Sequence, residues 1–220
     1  MDCAQIPKER PILLQGAMVR ALLDGTKTQT RRAVKGQMFA NLGDLEHVPD
    51  WITAEVPHAC PYGQPGDRLW VRETWVYDDY RLQQGPYVEV PGAREELFYR
   101  ADNEQPFEAP EGKFWKPSIH MPRWASRILL EIVSVRVERL QGISEKDARA
   151  EGVTIEDRHM LGYCAGEFLP PSIRAYRDLW ESINGAGSWD ANPWVWVVEV
   201  KRIHADGDQV KNETGEKHGN

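Results

Sequence analysis

Ser126-Arg127-Ile128-Leu129-Leu130-Glu131-Ile132-Val133-Ser134-Val135-Arg136-Val137-Glu138-Arg139-Leu140 is the longest strand signal in the chain. Ile128, Leu130 and Ile132 share one parity, and Val133, Val135 and Val137 share the other. Successive side chains of a strand point to opposite faces. The change of parity therefore means a strand buried on both sides, or one with a bulge that shifts its period. Residues 193–203 read as a second long strand, in which Trp194, Trp196, Val198 and Val200 alternate with Val195, Val197 and Glu199. Pro65-Gly66-Asp67 is a turn signal, with Asp67 expected to cap its own backbone. It launches a strand over 68–75. Shorter strands are expected over 10–14, 28–33 and 96–100.

Helices are fewer. Residues 16–24 place Met18, Ala21 and Leu22 on one face, and Gly25 is positioned to end the helix. Residues 144–151 have Ser144 as N-cap, with Glu145 and Asp147 in the first turn. Residues 172–184 carry Ile173, Tyr176, Leu179, Trp180 and Ile183 on one stripe. Residues 36–64 and 76–125 read as insertions, with a short strand near 51–55, and 206–220 as a polar, disordered tail. Five or six strands with a few short helices do not suggest repeated βαβ units. They predict a single α+β domain: a small mixed β-barrel with short flanking helices.

Composition narrows the function. The 220 residues carry a net charge of -7. A protein that grips a long nucleic-acid backbone by bulk electrostatics is usually basic, so no long duplex is expected. Nine tryptophans leave room for base-stacking platforms beyond the core. No run of about 18 apolar residues marks a membrane span, and the N-terminal residues do not read as a secretory signal. Three scattered cysteines, Cys3, Cys60 and Cys164, suit a reducing cytoplasm. His58 with Cys60, or His159 with Cys164, does not make a zinc set. No glycine-rich phosphate loop occurs, so neither metal nor cofactor is expected.

The chemistry-bearing segment is Gly25-Thr26-Lys27-Thr28-Gln29-Thr30-Arg31-Arg32. If it is extended, Thr28, Thr30 and Arg32 share one face and Gln29 and Arg31 the other. Lys27 can swing toward the first face. An ammonium, a hydroxyl and a guanidinium at one spot suit an anionic or carbonyl-bearing ligand. A solvated basic turn is the competing reading.

The order helix, Gly25-x-Lys27-x-x-Thr30-x-Arg32, Gly66-Asp67 opening a strand, a long strand, a helix and a closing strand resembles the ASCH domain family of the PUA-like superfamily. The resemblance covers about residues 10–35, 64–76 and 126–204. The stretches from Cys60 to Trp75 and from Trp115 to Arg127 resemble its longer, phage-associated type. It implies a PUA-like barrel, a cytoplasmic protein of a bacterial host or its phage, and RNA or modified nucleosides as ligands. One branch of the family removes the acetyl group of N4-acetylcytidine with a lysine and a threonine of this motif and a later glutamate. Carried onto this chain, that implies Lys27, Thr30 and Glu151, with Glu145 as the fallback acid.

Such a site would use Thr30 as nucleophile, Lys27 as its base and Glu151 to position or shuttle a proton. Lysine serves as a base only when burial or nearby positive charge lowers its pKa, and Arg31 and Arg32 are near enough in sequence to help. Glu151 would oppose that shift. Substrate contacts are expected from Arg32 and Thr28, from Arg72 or Glu73 on the strand after the turn, and from Trp115, His120 and Trp124 in the proline-rich loop. Surface placement or plain loop packing is the rival for each of these last five. The expected partner is a modified nucleoside or a few single-stranded nucleotides. A binding-only module and a ribonuclease are the alternatives.

Overall fold

A computed structural model describes residues 6–35, 59–77, 97–102, 115–161 and 169–203. The expected strand near 51–55, the tail, and Cys3, His58 and Cys164 lie outside the described residues.

The chain is α+β. Its main sheet has five strands in the order β1 (Glu9–Leu13), β3 (Arg68–Arg72), β6 (Leu129–Arg139), β7 (Trp194–Ile203) and β2 (Gln29–Ala33). β1 runs parallel to β3; every other pairing in the ladder is antiparallel. Among the described residues β1 and β2 are the two edges and do not pair, so this ladder is an open mixed sheet without barrel closure. The strand expected over 68–75 is two. It leaves the sheet after Arg72, and β4 (Trp75–Tyr77) pairs with β5 (Leu97–Tyr99) in a separate ribbon.

The parity change in β6 is a bulge. Its pairing with β7 shifts register between Ile132 and Ser134, which leaves Val133 exposed. β7 is the strand buried on both faces. Trp194, Trp196, Val198 and Val200 join Met18, Val19 and Leu22 of α1 (Gly16–Leu23) in one core. Val195 and Val197 pack on the opposite face with Ala148 of α2 (Glu145–Ala150) and Ile173, Tyr176 and Trp180 of α4 (Pro171–Asn184). Each valine fully buried in this way contributes about 1.5–3 kcal/mol. A one-turn helix, α3 (Asp157–Met160), precedes α4. Ser144 caps α2 by accepting the Asp147 N–H at 3.1 Å. None of the described helices is long and apolar enough to cross a membrane.

Asp67 is a lock between segments. Its carboxylate accepts from the Lys8 and Gln64 N–H groups and from Arg10. Burial pushes its pKa up, but these donors outweigh that and hold it below the usual range. Tying β1 to the turn before β3 is a structural task, wider than capping its own turn.

Candidate active site

Gly25, two residues beyond the last residue of α1, has a φ of 74° that suits the left-handed turn expected there. The N–H groups of Thr26 and Lys27 both donate to Ala21 O, so the exit from the helix is fixed. Lys27 then forms an isolated antiparallel bridge with Glu151, the C-cap of α2. The Thr28 N–H donates to Ala150 O at 2.8 Å, and Thr28 O accepts from Val200 at 2.8 Å. The end of α2 is thereby laid along the segment that enters β2.

Gly152 permits that approach. Its φ is 75°, and a Cβ there would lie 2.6 Å from Ala21 Cβ and 2.9 Å from Lys27 Cβ. Gly152→Ala is expected to cost about 2–4 kcal/mol, from a left-handed alanine plus overpacking. Urea unfolding would register this as a lower midpoint at constant m; an unchanged midpoint would mean that the two segments are not held this closely.

The bridge delivers two cationic groups to one carboxylate. Lys27 Nζ donates to Glu151 Oε2 at 2.8 Å, to Glu151 O at 2.9 Å and to Gln29 O at 2.7 Å. Arg31 donates to the other oxygen, Oε1, at 3.1 Å. Both cationic side chains are sealed, 1% and 0% exposed. Arg31 also pairs with Glu138 and lies 3.4 Å from Asp147; Arg136 ties Glu138, Asp147 and Glu199 together from outside. Burial lowers the Lys27 pKa. Glu151 opposes it, while Arg32 and Arg31 assist it. Burial, with the Glu151 charge, pushes the nearby Tyr176 hydroxyl well above its ordinary pKa.

Beside this network lies a cavity of about 40 Å³ walled by Thr30, Arg31, Arg32 and Glu151 together with Tyr176 and Ile183 of α4. Lys27 is not one of its walls; its ammonium sits behind the Glu151 carboxylate. The expected alternation holds, with Thr30 and Arg32 opposite Val198 and Trp196 on the α1 side of the sheet and Arg31 opposite Val197 on the α4 side, yet all three wall this cavity. β2 is an edge strand, and a cavity along an edge is reached from consecutive residues.

The structure thus brings Lys27, Thr30, Glu151 and Arg32 together, and leaves the other expected contacts elsewhere. Thr28 is exposed and contributes backbone bonds. Arg72 donates to Met121 O and its guanidinium lies 4.8 Å from the Trp70 ring centroid. Glu73 faces a different cavity. Trp115 is half-buried, His120 is exposed in a short 3-10 turn, and Trp124 is 57% exposed, edge-on to Trp75 at 5.9 Å. None of these walls the Thr30 cavity. Glu145 bonds Ser172 and does not reach Lys27. Sequence reasoning gave Arg31 only a supporting charge and read Tyr176 and Ile183 as core stripe. The spacing of Arg136 and Glu138, two apart on one strand face, was the available sign of a charged layer beside Arg31.

Among the described residues no cluster of histidine, cysteine and carboxylates could hold a metal ion. Comparison of the chain with protein-family models, with curated proteins and with solved structures returned no match.

Proposed function

We propose that the chain is an amidohydrolase of the ASCH, PUA-like kind that removes an acyl group from the exocyclic amine of a modified pyrimidine nucleoside, N4-acetylcytidine being the type. One observation carries this reading. Thr30 and Glu151 wall the same cavity, and the Lys27 ammonium lies 2.8 Å from that carboxylate.

The reaction balances with these groups. The Thr30 hydroxyl attacks the acyl carbon, the C–N bond breaks, and the amine leaves with a proton; water then hydrolyses the threonine ester to carboxylate and free hydroxyl. Lys27, deprotonated, is the ultimate acceptor of the Thr30 proton. Glu151, which walls the cavity and accepts from Lys27, carries the proton across. Arg32 on the cavity wall supplies a donor for the developing oxyanion. A cavity of about 40 Å³ has room for a small acyl group in place of a few waters. The pyrimidine and ribose would lie at its mouth.

A second reading has its own support. All three Lys27 donors are occupied, two by backbone carbonyls, which also suits a purely structural lysine in a binding-only module. The test is incubation of the protein with N4-acetylcytidine across a pH series, with chromatography for cytidine and acetate. Catalytic cytidine release that rises with pH through a pKa below 10.5, and loses that limb in Lys27→Met, is the expected result. Saturable binding without cytidine would select the binding module. Neither binding nor turnover would remove both readings.

A further inference from the structure

On the other side of α1 lies a second cavity, of about 380 Å³, lined by Gln15, Arg20, Glu73, Thr74, Arg100 and Ala101. It is roughly the size of a small-molecule site, about 300–1,000 Å³, and far larger than the cavity at Thr30. The proposed hydrolysis makes no use of it.

Its walls are built and fixed. The Glu73 carboxylate is buried, yet it lines the cavity. Arg127 holds it in a fork, Nε to Oε1 at 2.9 Å and a terminal nitrogen to Oε2 at 2.9 Å. Arg127 is itself fixed by a second fork onto Asp102, and by lying 4.0 Å from the Tyr99 ring centroid. A carboxylate oxygen accepts two hydrogen bonds. Arg127 takes one on each oxygen of Glu73, so acceptor capacity is left for a ligand N–H edge, as when a carboxylate reads a base amino group. Arg127 is shared between Glu73 and Asp102, one positive charge for two carboxylates, and Arg20 and Arg100 add two more positive charges at the wall. Arg20 is anchored by donating to Ala101 O at 3.2 Å. The Arg100 N–H donates to Thr74 O at 3.0 Å, and the Arg100 side chain makes no ion pair among the described residues. An acceptor carboxylate and two guanidiniums around one hollow match a ligand with a donor edge at one end and an anion at the other.

We infer that this cavity binds a nucleoside monophosphate, its base edge donating to Glu73 and its phosphate held by Arg20 and Arg100. The inference is independent of the activity at Thr30. Titration calorimetry of the full chain with AMP, GMP, CMP and UMP tests it, with the matching nucleosides and inorganic phosphate as controls. At least one monophosphate should bind saturably, and both its nucleoside and phosphate alone at least about tenfold more weakly. Arg100→Glu changes an exposed side chain. It should weaken the monophosphate at least about tenfold while leaving the melting temperature of the unliganded protein in place. Thr30→Ala should leave binding intact. No saturable monophosphate binding at millimolar concentration would overturn the inference. So would equal binding by inorganic phosphate, undiminished binding in Arg100→Glu, or loss of binding in Thr30→Ala, which would move the ligand to the other cavity.

Discussion

Glu151→Ala is expected to lower the melting temperature by about 6–20 °C. Removing one partner of a buried ion pair costs about 3–5 kcal/mol, and each kcal/mol shifts a chain of this size by about 2–4 °C. The loss falls unevenly. Arg31 keeps Glu138 and Asp147, but Lys27 keeps only two carbonyl oxygens. Lysine has a way out, because it can lose its proton. Burial already lowers its pKa against the opposition of Glu151, and without that carboxylate the pKa falls further. In the window between the native Lys27 pKa and its unfolded value of 10.5, the unfolded chain binds more protons than the native one. Stability therefore rises with pH across that window. Glu151→Ala should widen the window downward, so that its deficit shrinks as pH rises. Lys27→Met added to Glu151→Ala should restore part of the loss, a coupling of about 0.5–3 kcal/mol. Melting curves over a pH series measure all three; a single variant within about 1 kcal/mol of wild type at neutral pH would show that the carboxylate does not hold this corner together.

The sequence reveals those elements whose burial is decided locally. β7 was legible on both faces because its tryptophans and valines alternate without interruption and both faces meet a core. α2 was legible to its N-cap because Ser144 and Asp147 belong to one turn. Pairing was not legible. The parallel contact of β1 with β3, and the departure of the chain from the sheet at Glu73, depend on partners distant in sequence. The same divide runs through the site. Lys27, Thr30 and Arg32 are close in sequence, but Lys27 and Glu151 are separated by 124 positions; family resemblance joined them where periodicity could not. The aromatic residues Trp115, His120 and Trp124 were tied to the pocket only through an assumed loop path. That loop instead packs by the β4–β5 ribbon, where Lys116 bridges Trp75. Alternation in β2 was legible, with Thr30 and Arg32 on one face and Arg31 on the other; that the cavity runs along the strand's edge and is walled from both faces was not.

Thr30→Ala should reduce kcat/KM for N4-acetylcytidine by at least about 1,000-fold, as loss of a nucleophile does elsewhere. The fold should survive it. Thr30 sits within β2 opposite Val198, and the ladder there depends on backbone groups that alanine keeps. Thr30→Ser retains a hydroxyl on the same strand and should keep measurable turnover, with the γ-methyl lost from a buried position. Thr30→Val keeps the shape without the hydroxyl and should be as inactive as alanine. The three variants separate a reacting hydroxyl from a packing methyl, since a packing role would favour valine over serine. A covalent step predicts more than a rate. Acid quenching during turnover should trap an acetyl ester on Thr30, visible by mass spectrometry of the peptide carrying it, and absent from Thr30→Val. Lys27→Met should slow formation of that ester, because the proton of the attacking hydroxyl then has no amine to reach through Glu151. Full deacetylation by purified Thr30→Ala, or an ester found on another residue, would remove the hydroxyl at position 30 from the chemistry and leave the cavity as a binding site.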